Sequence, residues 1–204
     1  MTMVYAKVGS PLGELLLVGE RPAGTARADG AEAGAGADSS GTSGASGTSD
    51  TSGVDMAPSG GVALVSLSLP GQKGGAVVQD GWQQAPELFA GIAAQLEAYF
   101  AGRLTRFDIP YADGVGTEFQ RRVWQALDTI PYGETVSYGQ IAARVGSSGA
   151  GVRAVGTAIG RNPLLVVRPC HRVIGADGAL RGYAGGLERK ERLLGLEGAS
   201  VPRR

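Results

Sequence analysis

From Gly19 to Gly61 the chain is written almost wholly in Gly, Ala, Ser, Thr and Asp, as in GAGADSSGTSGASGTSDTSG, with no aromatic residue and very few large aliphatics. A segment of that composition buries too little apolar surface to offset the entropy of ordering it. It therefore reads as a disordered insertion over residues 19–61. Loop-closure entropy grows slowly with length, so such an insertion is tolerated between elements that pair. Whatever folds at the front must be assembled from the pieces on either side of it.

Those pieces read as strands and one helix. Val4–Val8 and Glu14–Val18 are two short strands around the turn SPLG. After the insertion, VALVSLSL at residues 62–69 alternates, with Val62, Leu64 and Ser66 on one face and Ala63, Val65, Leu67 and Leu69 on the other. A weak strand or loop follows at Ala76–Val78. Pro86 then opens a helix in which Leu88, Ile92, Leu96 and Tyr99 recur at helical spacing, with Phe89 and Phe100 beside them. Phe107 and Ile109 suggest a last strand. These apolar positions read as core, and together they make a small α/β front domain.

The back half is helical in pattern. Thr117 is a good N-cap for EFQRRVWQAL, whose apolar stripe is Phe119, Val123, Trp124 and Leu127. Trp124 reads as core. Pro131-Tyr132-Gly133 breaks the chain, a short helix runs through SYGQIAARV, and Gly146–Gly149 make a turn. A second helix, AGVRAVGTAIG, runs to about Arg161. Two short helices on a glycine-containing turn form a helix-turn-helix pattern. Ala150, Gly151, Ala154, Gly156 and Ala158 keep the second helix slim, with Arg153 projecting near its start. A slim helix suits close approach to a nucleic-acid backbone, and equally suits tight packing on another helix.

Charge divides the same way. Residues 1–115 hold 6 Lys+Arg against 12 Asp+Glu, and residues 116–204 hold 13 against 7, twelve of the basic residues there being arginine. The halves carry −6 and +6, which points to a polyanion partner for the back half, set against a chance imbalance of solvated charge. The N-terminus lacks a basic start followed by a long apolar run, so no signal peptide is expected, and no run approaches the length of a membrane span.

Cys170 is the one cysteine and His171 the one histidine, side by side in RPCHRV. A single cysteine excludes an internal disulfide and a multi-cysteine zinc site, and a free thiol fits the reducing cytosol. Leu164–Val167 reads as a buried strand that Pro169 ends, presenting Cys170 where it leaves the core. Arg168 and Arg172 flank the thiol, and cations favour thiolate. Cysteine attacks as thiolate, and a neighbouring histidine can take its proton. Adjacent residues in extended chain point to opposite sides, so the pair needs a bend or a bridging water. A third group should orient the imidazole, and Asp177, Glu188, Glu191 and Glu197 are the candidates. No resolving cysteine, phosphate-binding loop or dinucleotide fingerprint accompanies the thiol, so the chemistry must use side chains alone.

With TEFQRRVWQAL, IPYGETVSYGQIA, VRAVGTAIGRNP and RPCHRVIGADGALRGYAGGLERKERLLGLEG in hand, the chain resembles the O6-alkylguanine-DNA alkyltransferases, also called methylated-DNA–protein-cysteine methyltransferases. The resemblance is dense over residues 85–204 and looser over 3–18 and 62–69. It implies an α/β (α+β) fold: a front domain over residues 1–110 with an antiparallel sheet and helix, ribonuclease-H-like, then a winged helix-turn-helix-like domain over 115–199 carrying the reactive cysteine, and a tail, 200–204. It implies a cytoplasmic DNA-repair protein, a monomer, acting on double-stranded DNA that contains O6-alkylguanine; it leaves open whether O4-alkylthymine is also a substrate.

The same resemblance assigns the residues. Cys170 would accept the alkyl group by in-line displacement, once and irreversibly, which explains the missing resolving thiol. His171 would be the base through a bridging water, oriented by Glu197. Asn162 would link the recognition helix to the active-site turn. Arg153 would enter the base stack where the lesion left it, with Ala150 and Gly151 against the DNA. Tyr138 and Tyr183 would line the base pocket, and the backbone of Val173 and Ala184 would bond the extruded base. No cofactor and no metal are implied, since the cysteines that hold zinc in some members are missing. The insertion is longer than the family's front domain leads one to expect. Ala184 stands where many relatives have serine, so a hydroxyl contact is lost.

The alternatives are a lesion-binding protein that recruits other repair factors without transfer, against which Cys170 argues, and a transcription regulator, which leaves Cys170, His171 and Glu197 unexplained. A thiol hydrolase needs repeated turnover, which thioether formation excludes. For single residues, simple packing is the alternative to a pocket role for Tyr183, while Arg181 and Arg189 read as surface charges rather than specific contacts.

Overall fold

The structure, a computed structural model, describes residues 1–21 and 61–199. Most of the segment read as an insertion, residues 22–60, and the tail 200–204 lie outside the described residues. The fold is mixed α/β. At the front, β1 (Thr2–Val8) and β2 (Leu15–Arg21) form an antiparallel hairpin in register from Val8↔Leu15 to Thr2↔Arg21. Ser10 and Gly13 close its turn with reciprocal backbone bonds of 3.1 and 3.0 Å. The second strand runs three residues further than its apolar pattern indicated, because Gly19, Glu20 and Arg21, placed in the insertion by composition, still pair with β1.

β3 (Ala63–Ser68) lies antiparallel on the other side of β2, and β4 (Gln83–Gln84) pairs parallel with β1, giving the order β3-β2-β1-β4. The expected alternation of β3 fails in its middle. Val18 pairs with Ser66 and Gly19 with Leu64, so Val65 is the extra residue of a bulge. One extra residue reverses the pleat, which buries Val62, Leu64, Leu67 and Leu69 together instead of splitting them between faces. Gly19 sits at that bulge because a Cβ there would meet Val62 Cγ2 at 2.6 Å and the Ala63 carbonyl at 3.0 Å. No strand forms at Ala76–Val78, and Phe107 and Ile109 form none either. What adjoins β3 there is a single bridge, Leu64↔Tyr111, held by Leu64 N–H to Pro110 O at 2.8 Å and Ala112 N–H to Leu64 O at 3.0 Å.

Pro86 opens a 3-10 turn, Pro86–Phe89, that leads into α1 (Ala90–Phe100). Phe89, Ile92, Leu96 and Tyr99 are buried and share one core with Val4, Ala6, Leu15, Leu17, Leu64 and Leu67 of the sheet. Each fully buried large side chain contributes about 1.5–3 kcal/mol.

The back half is built from short helices, two of which start at capping boxes. α2 (Glu118–Asp128) starts at a capping box between Thr117 and Gln120. The two-residue strand β5 (Val136–Ser137) leads into α3 (Tyr138–Arg144), which has a second capping box, Ser137 with Gln140. α4 (Gly151–Gly160) packs on α2 and α3, and Trp124 is core as expected, its indole N–H donating to Ala158 O at 2.9 Å. β6 (Val173–Ile174) pairs parallel with β5, and α5 (Leu187–Leu196) closes the chain's described part.

One hydrophobic core runs through both halves. Three of the polar seams that reinforce it involve β3, Arg189 and Tyr99. β3 receives the back half at a bridge, Leu67↔Leu164, with Leu67 N–H on Pro163 O at 2.9 Å and Leu165 N–H on Leu67 O at 3.2 Å. This pairing protects the sheet edge and anchors the chain entering Cys170. Arg189, read as a surface charge, reaches Leu12 O, Pro70 O and Gly185 O at 3.1, 2.9 and 2.9 Å. The third seam joins Tyr99 to Glu197, as described next.

Candidate active site

The expected strand Leu164–Val167 is not one. Only Leu164 makes a bridge, after which the chain turns. Val167 N–H returns to Leu165 O at 2.8 Å around Val166, whose φ of 70° is left-handed and costs a β-branched residue about 1–2 kcal/mol. Pro169, at φ −80° and ψ 55°, centres a second tight turn, with Cys170 N–H on Arg168 O at 2.8 Å. Cys170, His171 and Arg172 then form one 3-10 turn. This is the bend that adjacent residues need in order to serve one site. Its proline suits a position whose φ must lie near −65°.

Asn162, just beyond the C-terminus of α4, holds the loop. Its Oδ1 accepts from Leu164 N–H at 3.0 Å, and its Nδ2 donates to Leu164 O, Arg168 O and Cys170 Sγ at 3.3, 3.1 and 3.2 Å. The thiol is buried, and burial outweighs the Asn162 hydrogen bond and the Lys190 and Arg168 charges to push it up to about 11. The flanking arginines thus do not make a resting thiolate. Arg168 turns away to Asp128 at 3.1 Å and lies over the rings of Tyr111 and Trp124 at 5.3 and 5.5 Å. Arg172 turns to Glu197.

Of the four acidic candidates for orienting the imidazole, Glu197 is the one hydrogen-bonded to it. Glu197 caps α5, and its Oε1 lies 2.9 Å from His171 Nε2. The same oxygen accepts from Arg172 Nη2 at 2.8 Å and Tyr99 Oη at 2.6 Å, while Oε2 accepts from Arg172 Nε at 2.8 Å and Gly133 N–H at 3.4 Å. Burial alone would raise this carboxyl, yet these donors hold it well below the usual range. A carboxylate so held does not share a proton with imidazole, so Nε2 must be the protonated ring nitrogen. Nδ1 is then the free lone pair. It is buried and has no hydrogen-bond partner among the described residues, the thiol included. Burial also lowers His171, favouring the neutral ring. Gly133 is required beside the hub, since it sits at φ 75° and a Cβ would meet Glu197 O at 2.9 Å.

Tyr138 and Tyr183 both lie in the electrostatic neighbourhood of Cys170, and each is pushed up mainly by burial. The Tyr138 ring stands against α4, where a Cβ on Gly156 would touch it at 3.8 Å. Val173 is buried, its carbonyl accepting from Lys190 Nζ at 2.6 Å, and Ala184 packs partly buried against the core. Arg153 and Ala150 are exposed at the start of α4 with Gly151 half-buried, about 14–18 Å along the helix from Asn162. They form an outward surface and do not join the buried cluster.

Sequence reasoning missed three groups. Arg172 was read as a cation for the thiol and is Glu197's partner. Tyr99 was read as core and is core with its hydroxyl on Glu197. Lys190 is fully buried, bonded to Val173 O and to Arg181 O at 3.0 Å, and brought down to about 8 by burial. One signal was available for it: Lys190, Leu193, Leu194 and Glu197 fall at i, i+3, i+4 and i+7, the inner face of α5.

A tight turn presenting one buried thiol, beside a neutral imidazole aligned by a fixed carboxylate, is the arrangement of a protein that works through a cysteine nucleophile. Residues 118–199 match the family model of the 6-O-methylguanine DNA methyltransferase DNA-binding domain. The methylated-DNA–protein-cysteine methyltransferase of Mycolicibacterium paratuberculosis is 62% identical over 122 residues, 60% of this chain and 73% of that one. The Methanosarcina acetivorans protein of the same name is 56% identical over 122 residues, 60% of this chain and 77% of that one. The crystal structure of Mycobacterium tuberculosis O6-methylguanine methyltransferase superposes with a TM-score of 0.69 at 39% identity, covering 100% of this chain and 97% of that one. That of M. tuberculosis OGT in complex with DNA gives 0.68 at 40% identity, with 95% and 92% covered. The chain belongs to the methylated-DNA–protein-cysteine methyltransferase family.

Proposed function

We propose that the protein repairs DNA by taking the alkyl group from O6 of guanine onto Cys170, once per molecule. The observation that carries the residue assignment is the free Nδ1 of His171, opposite an Nε2 fixed by Glu197. A thiol held near 11 is a poor nucleophile at neutral pH until a base takes its proton. His171 Nδ1 accepts it through a bridging water as Sγ attacks the alkyl carbon. The S–C bond forms as the C–O6 bond breaks, the electron pair stays on the base, and the net proton moves from thiol to guanine. Asn162 holds Sγ in place.

O6 is stacked and paired within a duplex, so the base must leave the helix at a cost of a few kcal/mol. Arg153, exposed on a slim helix start with Ala150 and Gly151, suits insertion into the gap. Tyr138, Tyr183 and the backbone of Val173 and Ala184 are the pocket for the extruded base. In this reading residues 1–110 form a supporting domain and 115–199 the DNA-binding, alkyl-accepting one. A protein whose chemistry needs a reduced thiol belongs in the cytoplasm.

The test is intact-protein mass spectrometry after incubation with a duplex carrying one O6-methylguanine. The expected result is a gain of one methylene, mapped to Cys170, saturating at one per protein and abolished in Cys170→Ala. No gain despite tight lesion binding would overturn the transfer reading in favour of recognition alone.

A further inference from the structure

The Glu197 hub is not built by the back half alone. Tyr99 lies on α1, 98 positions earlier in the chain, fully buried, and its hydroxyl meets Glu197 Oε1 at 2.6 Å. The ring is fixed from three sides, by Phe100, Phe107 and Tyr132 at centroid distances of 5.4, 5.0 and 6.2 Å. The phenol therefore cannot swing away without disturbing the core, and its bond length is that of a charge-assisted O–H to carboxylate contact. It lands on the oxygen that also receives His171 Nε2, not on the one turned to Gly133.

Resting on the transfer reading above, we propose that Tyr99 is a positioning residue for the reaction: a hydroxyl supplied by the front half pins Glu197 Oε1 against His171 and draws off part of the charge that the imidazole would otherwise feel. The groups facing the His171–Glu197 pair are Arg172 beside them, Lys190 on α5, Tyr99 on α1 and Tyr132, which also faces Tyr99 and Arg172. Among the donors on that oxygen, the phenol is the one that comes from outside the back half. Removing it leaves Arg172 and His171 to share Oε1. The carboxylate then pulls harder on the imidazole proton, making the ring more basic, and loses one fixed support.

The experiment is the single-turnover rate of methyl transfer from an O6-methylguanine duplex, measured against pH on the full chain. Tyr99→Phe keeps the ring and removes the donor. The expected result is a plateau rate about tenfold lower, DNA affinity unchanged, and an acid limb moved to higher pH, because a more basic imidazole protonates sooner. Replacing Tyr99 by 3-fluorotyrosine, which preserves the shape and donates more strongly, should move the acid limb to lower pH. A slowly exchanging hydroxyl proton far downfield in the wild-type proton NMR spectrum, absent from Tyr99→Phe, should report the bond directly. A rate loss with no movement of the acid limb would reduce Tyr99 to a structural role and overturn the proposal, as would Tyr99→Phe matching wild type. Should Tyr99→Phe not fold, an acid limb unmoved by fluorotyrosine overturns it equally. A wild-type chain that transfers no methyl would instead sink the function reading, and this inference with it.

Discussion

The two halves of the molecule are ordered by different means. In the front half, β1 pairs with strands near and far in sequence, and β3 completes its edge with Pro110–Ala112 and Pro163–Leu165. In the back half, α2 and α3 each start at a capping box within four residues, and the reactive turn is closed by bonds two residues apart. The front half holds no cysteine, yet its Tyr99 reaches the Glu197 hub of the back half. The difference teaches that local signals placed the reactive groups, while distant pairing supplied their rigidity.

Glu197→Gln should be the most damaging way to test this contrast, because it breaks a buried polar cluster to which both halves contribute. Arg172 would remain buried without its anion, a loss of about 3–5 kcal/mol, and transfer should slow about a hundredfold or more as the imidazole loses its orientation. Chemical denaturation and single-turnover kinetics on the same preparation measure both. The pH dependence has a definite sign. Glu197 is depressed in the folded protein, so its contribution is full above the ordinary value of 4.5 and is lost as pH falls through the lower folded value. Wild type should therefore lose stability more steeply than Glu197→Gln as pH falls below 4.5.

Gly19→Val should act on the front half alone. Its side chain would collide with Val62 and the Ala63 carbonyl at the bulge, costing about 1–3 kcal/mol, while the transfer rate per folded molecule stays at the wild-type value. A changed rate would show that the sheet sets more of the chemistry than the Tyr99 contact. The smallest effect is expected from Ser137→Ala, which removes the α3 cap and costs about 1 kcal/mol. Its shift in thermal midpoint should leave the acid limb of the transfer rate where it was.

Legibility followed the same division. Thr117 as cap, the stripe Val123, Trp124 and Leu127, and the two helices around Gly146–Gly149 were readable because helix signals lie within a few residues of what they control. The faces of residues 62–69 were misread, because the Val65 bulge exists only through pairing with β2. The run Leu164–Val167 looked like a strand because a buried turn and a buried strand are equally apolar. At the site, RPCHRV marked the candidate nucleophile and its neighbour, but the partners of Arg168 and Arg172 depended on which carboxylate each would meet.

The sequence by itself singled out one thiol and one imidazole as candidates for the chemistry, left four acidic residues open beside them, and held them in segments whose resemblance named the family. Only the tertiary structure decided how they are poised. Burial pushes the thiol up and keeps the imidazole neutral, and five donors drawn from α1, the loop after α2, and the Cys170 turn itself hold Glu197 as an anion. Desolvation and hydrogen bonding across long sequence separations have no local signature, so a residue such as Tyr99 reads as plain core until the fold brings its hydroxyl to a carboxylate.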